Sequence, residues 1–147
     1  MQSVCAPGGI ELKRLIALCL LAVPLAADAF PVLIGARLST PQIASVSITY
    51  RPKTLWFLQV EPGVGGGKAA LGLGGSWSYH FGMGVKCSLL HTWGKTLGGV
   101  ETGQTYAGGE GVLMISGINL SFGLYSHIDG DAPDKDMLVS VGVGVGF

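Results

Sequence analysis

The chain has little charge. Lys, Arg, Asp and Glu make up 12% of its 147 residues, about half the ~25% usual in soluble domains. Nine basic and nine acidic side chains cancel, which removes the electrostatic footprint that nucleic-acid binding needs. Long apolar runs are also missing. Mean hydropathy is +0.51, yet beyond the N-terminus no stretch approaches the ~18 residues of a membrane helix. Cysteine is scarce: Cys5, Cys19 and Cys87. His80, His91 and His127 are scattered without metal-ligand spacing, so neither a metal nor a cofactor is expected.

Glycine is abundant, at 25 residues. Glycine opposes helix, so strands must carry the hydrophobicity. High hydropathy without helical spans leaves either a buried sandwich or a membrane barrel.

Residues 1–29 read as a secretory signal. Lys13 and Arg14 form its positive flank, Leu15 to Val23 its apolar core, and Ala27-Asp28-Ala29 a small-x-small cleavage pattern. That core is too short to span a bilayer. Residue 30 onward, through 147, is then one domain. Cys5 and Cys19 leave with the signal, and Cys87 alone cannot form an intrachain disulfide.

Period-two alternation marks strands. Ala69, Leu71, Leu73, Gly75, Trp77 and Tyr79 share one face, and Lys68, Ala70, Gly72, Gly74, Ser76 and Ser78 the other. Eight strands are predicted: 32–38, 43–51, 56–64, 68–79, 83–93, 104–115, 118–127 and 137–147. The first is the faintest. The two long connections, 94–103 and 128–136, fall at the same end. From Val139 to Phe147 every odd position is large and apolar, and every even one is Ser or Gly.

A terminal strand that is greasy outside, small inside and closed by Phe resembles the last strand of small eight-stranded Gram-negative outer-membrane β-barrels. The resemblance is one of architecture. It implies an antiparallel up-and-down transmembrane barrel, placed in the cell outer membrane. Its implied partners are outer-membrane lipid, lipopolysaccharide and the barrel-assembly machinery, and its implied state a monomer. Even strand number and long loops at one end agree with that architecture.

Two further patterns agree with it. Tyr50, Trp56, Trp77, Tyr79 and Phe147, with Phe81, gather at one predicted rim, the interfacial position that Trp and Tyr prefer. The charges within strands, Arg37, Arg51, Glu61, Lys68, Lys86 and Glu110, all fall on the inward face. Lys86 and Glu110 lie at similar heights on neighbouring strands and are expected to pair, because unpaired buried charge is costly.

Motifs for chemistry are weak. Gly63 to Ala69 misses the phosphate-loop pattern, with Pro62 and Ala69 where Gly and Ser or Thr belong. Asp129 to Asp136 lacks the Gly of a calcium loop, since Asp134 holds the sixth place. Ser126-His127-Ile128-Asp129 lacks the His-x-Ser pair of lipid A deacylases, and Ser88, His80 and Glu110 sit on separate strands. No catalytic residue is assigned. The expected function is a small structural or surface-interaction barrel with a polar, charged lumen. The alternatives are a lipid A-modifying barrel enzyme and an exported soluble β-sandwich binding module.

Overall fold

The alternating segments form eight strands: β1 (Val32–Ser39), β2 (Ile43–Tyr50), β3 (Trp56–Pro62), β4 (Gly66–Ser78), β5 (Phe81–Thr92), β6 (Thr105–Ile115), β7 (Ile118–Asp129) and β8 (Met137–Val145). The computed structural model describes residues 31–52, 55–78, 80–131 and 136–146, with backbone only at 76–78. The predicted signal, Tyr79 and Phe147 lie outside the described residues, as does the side chain of Trp77.

Each strand pairs antiparallel with the next, and β1 pairs with β8, so the sheet closes into a barrel. The closing seam matches Ala36 with Val145 and Ser39 with Gly142. It continues through Thr40 N–H, which donates to Val141 O at 3.0 Å. Closure leaves no free sheet edge and sets aside the two-sheet sandwich.

Strand ends differ from the sequence reading for local reasons. The second strand stops at Tyr50, because Arg51 precedes Pro52 and turns away. Arg51, the last residue of the predicted strand, lies half-buried just past the observed one, its N–H on Pro31 O at 2.6 Å. The third strand stops at Pro62, which has no N–H for the ladder. Gly63 N–H then bonds Gly66 O at 2.9 Å, so the glycine run is a tight turn. At the same turn β4 starts two residues earlier than predicted. Ser116 and Gly117, with φ of 49° and 84°, make the two-residue turn that suits a right-twisted hairpin.

The connections define two ends. At one, turns 51–55, 79–80 and 116–117 are short. At the other, segments 93–104 and 130–136 are long. The long-loop end is tied shut. Gln42 donates from Nε2 to Glu61 O and Gly66 O, at 2.9 and 3.2 Å. Leu97 N–H reaches Pro41 O at 3.0 Å, and Gln104 Nε2 reaches Asp131 O at 2.9 Å. Beneath these loops Leu90, Val100, Tyr106, Tyr125 and Leu138 form one buried cluster. The interior is therefore not polar throughout: this end is plugged by apolar side chains, Leu90 among them.

Candidate functional site: the charged barrel interior

Inward positions of five strands converge on one cluster. Arg37 comes from β1, Glu61 from β3, Lys68 from β4, Lys86 from β5 and Glu110 from β6, and none is more than 4% exposed. Two registers bring them together. Glu61 stands opposite Lys68 across β3–β4, and Lys86 opposite Glu110 across β5–β6.

Both carboxylates are shared. Arg37 Nη1 donates to Glu61 Oε1 at 2.8 Å and to Glu110 Oε1 at 3.3 Å. Lys86 Nζ lies 3.1 Å from each of the same two oxygens. Lys68 Nζ lies 2.9 Å from Glu110 Oε2 and 3.6 Å from Glu61 Oε2. The expected Lys86–Glu110 pair is thus one edge of a five-membered network.

Neutral groups complete it. Tyr125 donates its hydroxyl to Glu110 Oε2 at 2.7 Å, while its ring joins the apolar cluster. Gln59 Oε1 accepts from Lys86 at 2.7 Å, and its Nε2 donates to Thr49 Oγ1 at 3.0 Å. Asn119 Oδ1 accepts from Arg37 Nη2 at 2.8 Å, and its Nδ2 donates to Gly146 O at 2.5 Å. Desolvating so many charges is costly, and this pairing offsets it, with Arg37 Nε and Glu61 Oε2 left without a hydrogen bond among the described residues.

Glycines make room for the filling. A Cβ at Gly72 would run into the Phe57 ring, and one at Gly123 would meet Tyr125 Cε2 at 2.8 Å. Inward glycine therefore seats aromatic rings. Below the charges, toward the short-turn end, remains a half-enclosed cavity. Arg37, Gln59 and Asn119 form its polar part, and Phe57, Val112 and Met114 its apolar walls. About 20 Å³ of it is open to the centre of a water-sized sphere, above the ~10–15 Å³ that one water requires.

The outer face is the reverse. Tyr50 and Trp56 stand exposed at the short-turn rim with ring centroids 6.0 Å apart, near exposed Phe81. Trp93 is exposed at the opposite rim. Cys87 is exposed on the wall. Of the six charged residues within strands, only Asp129 is exposed, and it is the last residue of β7.

The histidines stand apart. His91 Nδ1 is 3.0 Å from Thr105 Oγ1, and His127 Nε2 is 2.8 Å from Gln104 Oε1. His80 is exposed near the short-turn rim, with Ser116 Oγ at 3.5 Å. Ser88 and Glu110 point into the barrel, so Ser88, His80 and Glu110 do not assemble. Lys68 is held by the two glutamates rather than at the head of a phosphate loop. Among the described residues no group of His, Cys, Asp and Glu could hold a metal ion. The Asp129–Asp136 segment lies partly outside those residues.

Comparison with known protein families, with curated proteins and with solved structures gives no match.

Proposed function

We propose that this chain is a small integral outer-membrane β-barrel with a structural or surface-interaction role. Its interior is a plug rather than a pore. One observation carries the reading. The outer face of the closed wall is apolar from rim to rim, with Ile34, Val46, Leu58, Leu71, Val85, Leu120 and Val141 all exposed, while the strand charges other than Asp129 at the end of β7 are buried. Soluble monomers rarely expose a contiguous apolar patch beyond a few hundred Å², and this one encircles the molecule. A bilayer rewards that arrangement, since Arg or Lys on the lipid face at mid-depth costs ~2–4 kcal/mol.

The interior supports the second half of the reading. Eight strands enclose only enough space for side chains, and here ion pairs and an apolar cluster fill it. A structural or interaction role then belongs to the outer wall and the long-loop end.

The test is fractionation of the chain expressed with its first 29 residues in a Gram-negative host. It is expected in the outer-membrane fraction, extracted only by detergent, and faster on a gel unheated than boiled. Recovery from the periplasm without detergent would overturn the reading.

A further inference from the structure

The interior network does not balance. Arg37, Lys68 and Lys86 bring three positive charges, and Glu61 and Glu110 bring two negative ones. One positive charge is left over among side chains that are at most 4% exposed. All three cations contact both carboxylates, and what distinguishes Arg37 is a nitrogen left without a partner. Lys68 and Lys86 each contact both carboxylates. Arg37 spends Nη1 on the carboxylates and Nη2 on Asn119, and its Nε has no hydrogen-bond partner among the described residues. Arg37 is 4% exposed, and it lines the cavity at the short-turn end.

We propose that this cavity binds one small monovalent anion, a halide such as chloride, against the Arg37 guanidinium. Four observations combine. The cavity has room for a particle a little larger than water. Its polar neighbours are already committed: Gln59 to Lys86 and Thr49, Asn119 to Arg37 and Gly146. The lining nitrogen with no hydrogen-bond partner at all among the described residues, Arg37 Nε, belongs to a cation. The remaining walls, Phe57, Val112 and Met114, are apolar and strengthen an ion pair by excluding water. A water molecule would satisfy Nε but leave the charge uncompensated. An anion does both.

Access is from the short-turn end, where the cavity is half-open. The size of the cavity excludes larger oxyanions and organic acids. The site does not depend on the membrane reading, and it can be tested on protein folded in detergent.

The experiment compares urea unfolding in sodium chloride and in sodium gluconate at equal ionic strength, so that general screening is the same. Chloride at ten times its dissociation constant is expected to lower the unfolding constant ~10-fold relative to gluconate. Gln59→Glu adds a carboxylate beside Lys86, within the cavity lining, and brings the interior to three against three. In that variant chloride and gluconate are expected to be equivalent. Equal midpoints in the unsubstituted protein would overturn the proposal, because the surplus charge must then be removed otherwise, as by loss of a proton from one lysine. A chloride effect that persists in Gln59→Glu would also overturn it, by placing the ion elsewhere. Should Gln59→Glu not fold, chloride-35 line width on the unsubstituted protein decides. Broadening displaced by bromide but not by gluconate is expected, and no broadening rejects the site.

Discussion

Val85, Lys86 and Cys87 are consecutive, yet they obey opposite rules. Lys86 is buried among charges, while Val85 and Cys87 are exposed on an apolar wall. The same inversion runs along every strand: Ser47 and Thr49 inside, Val46 and Ile48 outside. In a soluble fold, burial and hydrophobicity rise together. Here they run against each other over most of the wall, and the exceptions fall at the ends of the barrel. Phe57 is buried toward the short-turn end, and Leu90, Tyr106 and Leu138 are buried at the long-loop end. The difference between the two faces shows what each solves. The outer face solves a solvent problem, which tolerates any apolar side chain. The inner face solves a pairing problem, which tolerates almost none but the residues present.

That contrast is broken most severely from inside. Glu110 receives Arg37, Lys68, Lys86 and Tyr125. Glu110→Leu leaves three buried cations facing one carboxylate. It is expected to cost ~3–5 kcal/mol, the range for removing one partner of a buried ion pair. Urea unfolding in detergent micelles measures it, and a loss below ~1 kcal/mol would show that the network is hydrated rather than paired.

The next effect comes from outside. Val143 is exposed on β8, between the inward Gly142 and Gly144. In a bilayer, Val143→Arg places a guanidinium in hydrocarbon and is expected to cost ~2–4 kcal/mol of barrel stability. Unfolding from lipid vesicles reads this cost. In mild detergent, where the head group reaches water, the loss is expected to shrink. Equal losses in vesicles and micelles would argue that Val143 does not face lipid.

How much of this was legible from residues alone follows the same division. The outer face announces itself by period two, because side chains alternate and nothing else is required of them. That is why strand number, faces and the burial of Arg37, Glu61, Lys68, Lys86 and Glu110 are legible in the alternation. Partners are not. Lys68 meets Glu110 only because closure brings β4 and β6 across the lumen, and no spacing encodes that. The bond of Tyr125 to Glu110 depends on the ring's height and on the space left by Gly123. Val100 belongs to a loop with no periodicity, so its burial over the barrel end has no signature. The end of the second strand had no signature in the alternation, which continues through Arg51 in sequence while Pro52 ends the ladder.

The smallest expected effect is the most discriminating. Val143→Leu adds one methylene to an outer-face side chain. A close-packed protein interior resists added volume, typically by 1–3 kcal/mol, and Gly142 illustrates such a site: a Cβ there would meet Ser121 Oγ at 2.7 Å and Ser39 Cβ at 3.0 Å. Lipid chains are fluid and yield to the extra group. Val143→Leu is therefore expected to change stability by less than ~0.5 kcal/mol, within the usual range for substitutions that touch no special feature. Gly142→Ala, one residue away, is expected to cost more than that. Location is then read directly. A fluorophore on Val143→Cys in a Cys87→Ser background should be quenched by a spin label carried on lipid, and a thiol there should resist a water-soluble maleimide. Silence of Val143→Leu together with lipid quenching places this strand face in hydrocarbon. A fluorophore insensitive to the lipid-borne quencher would break the contrast at β8, and with it the membrane reading of the wall.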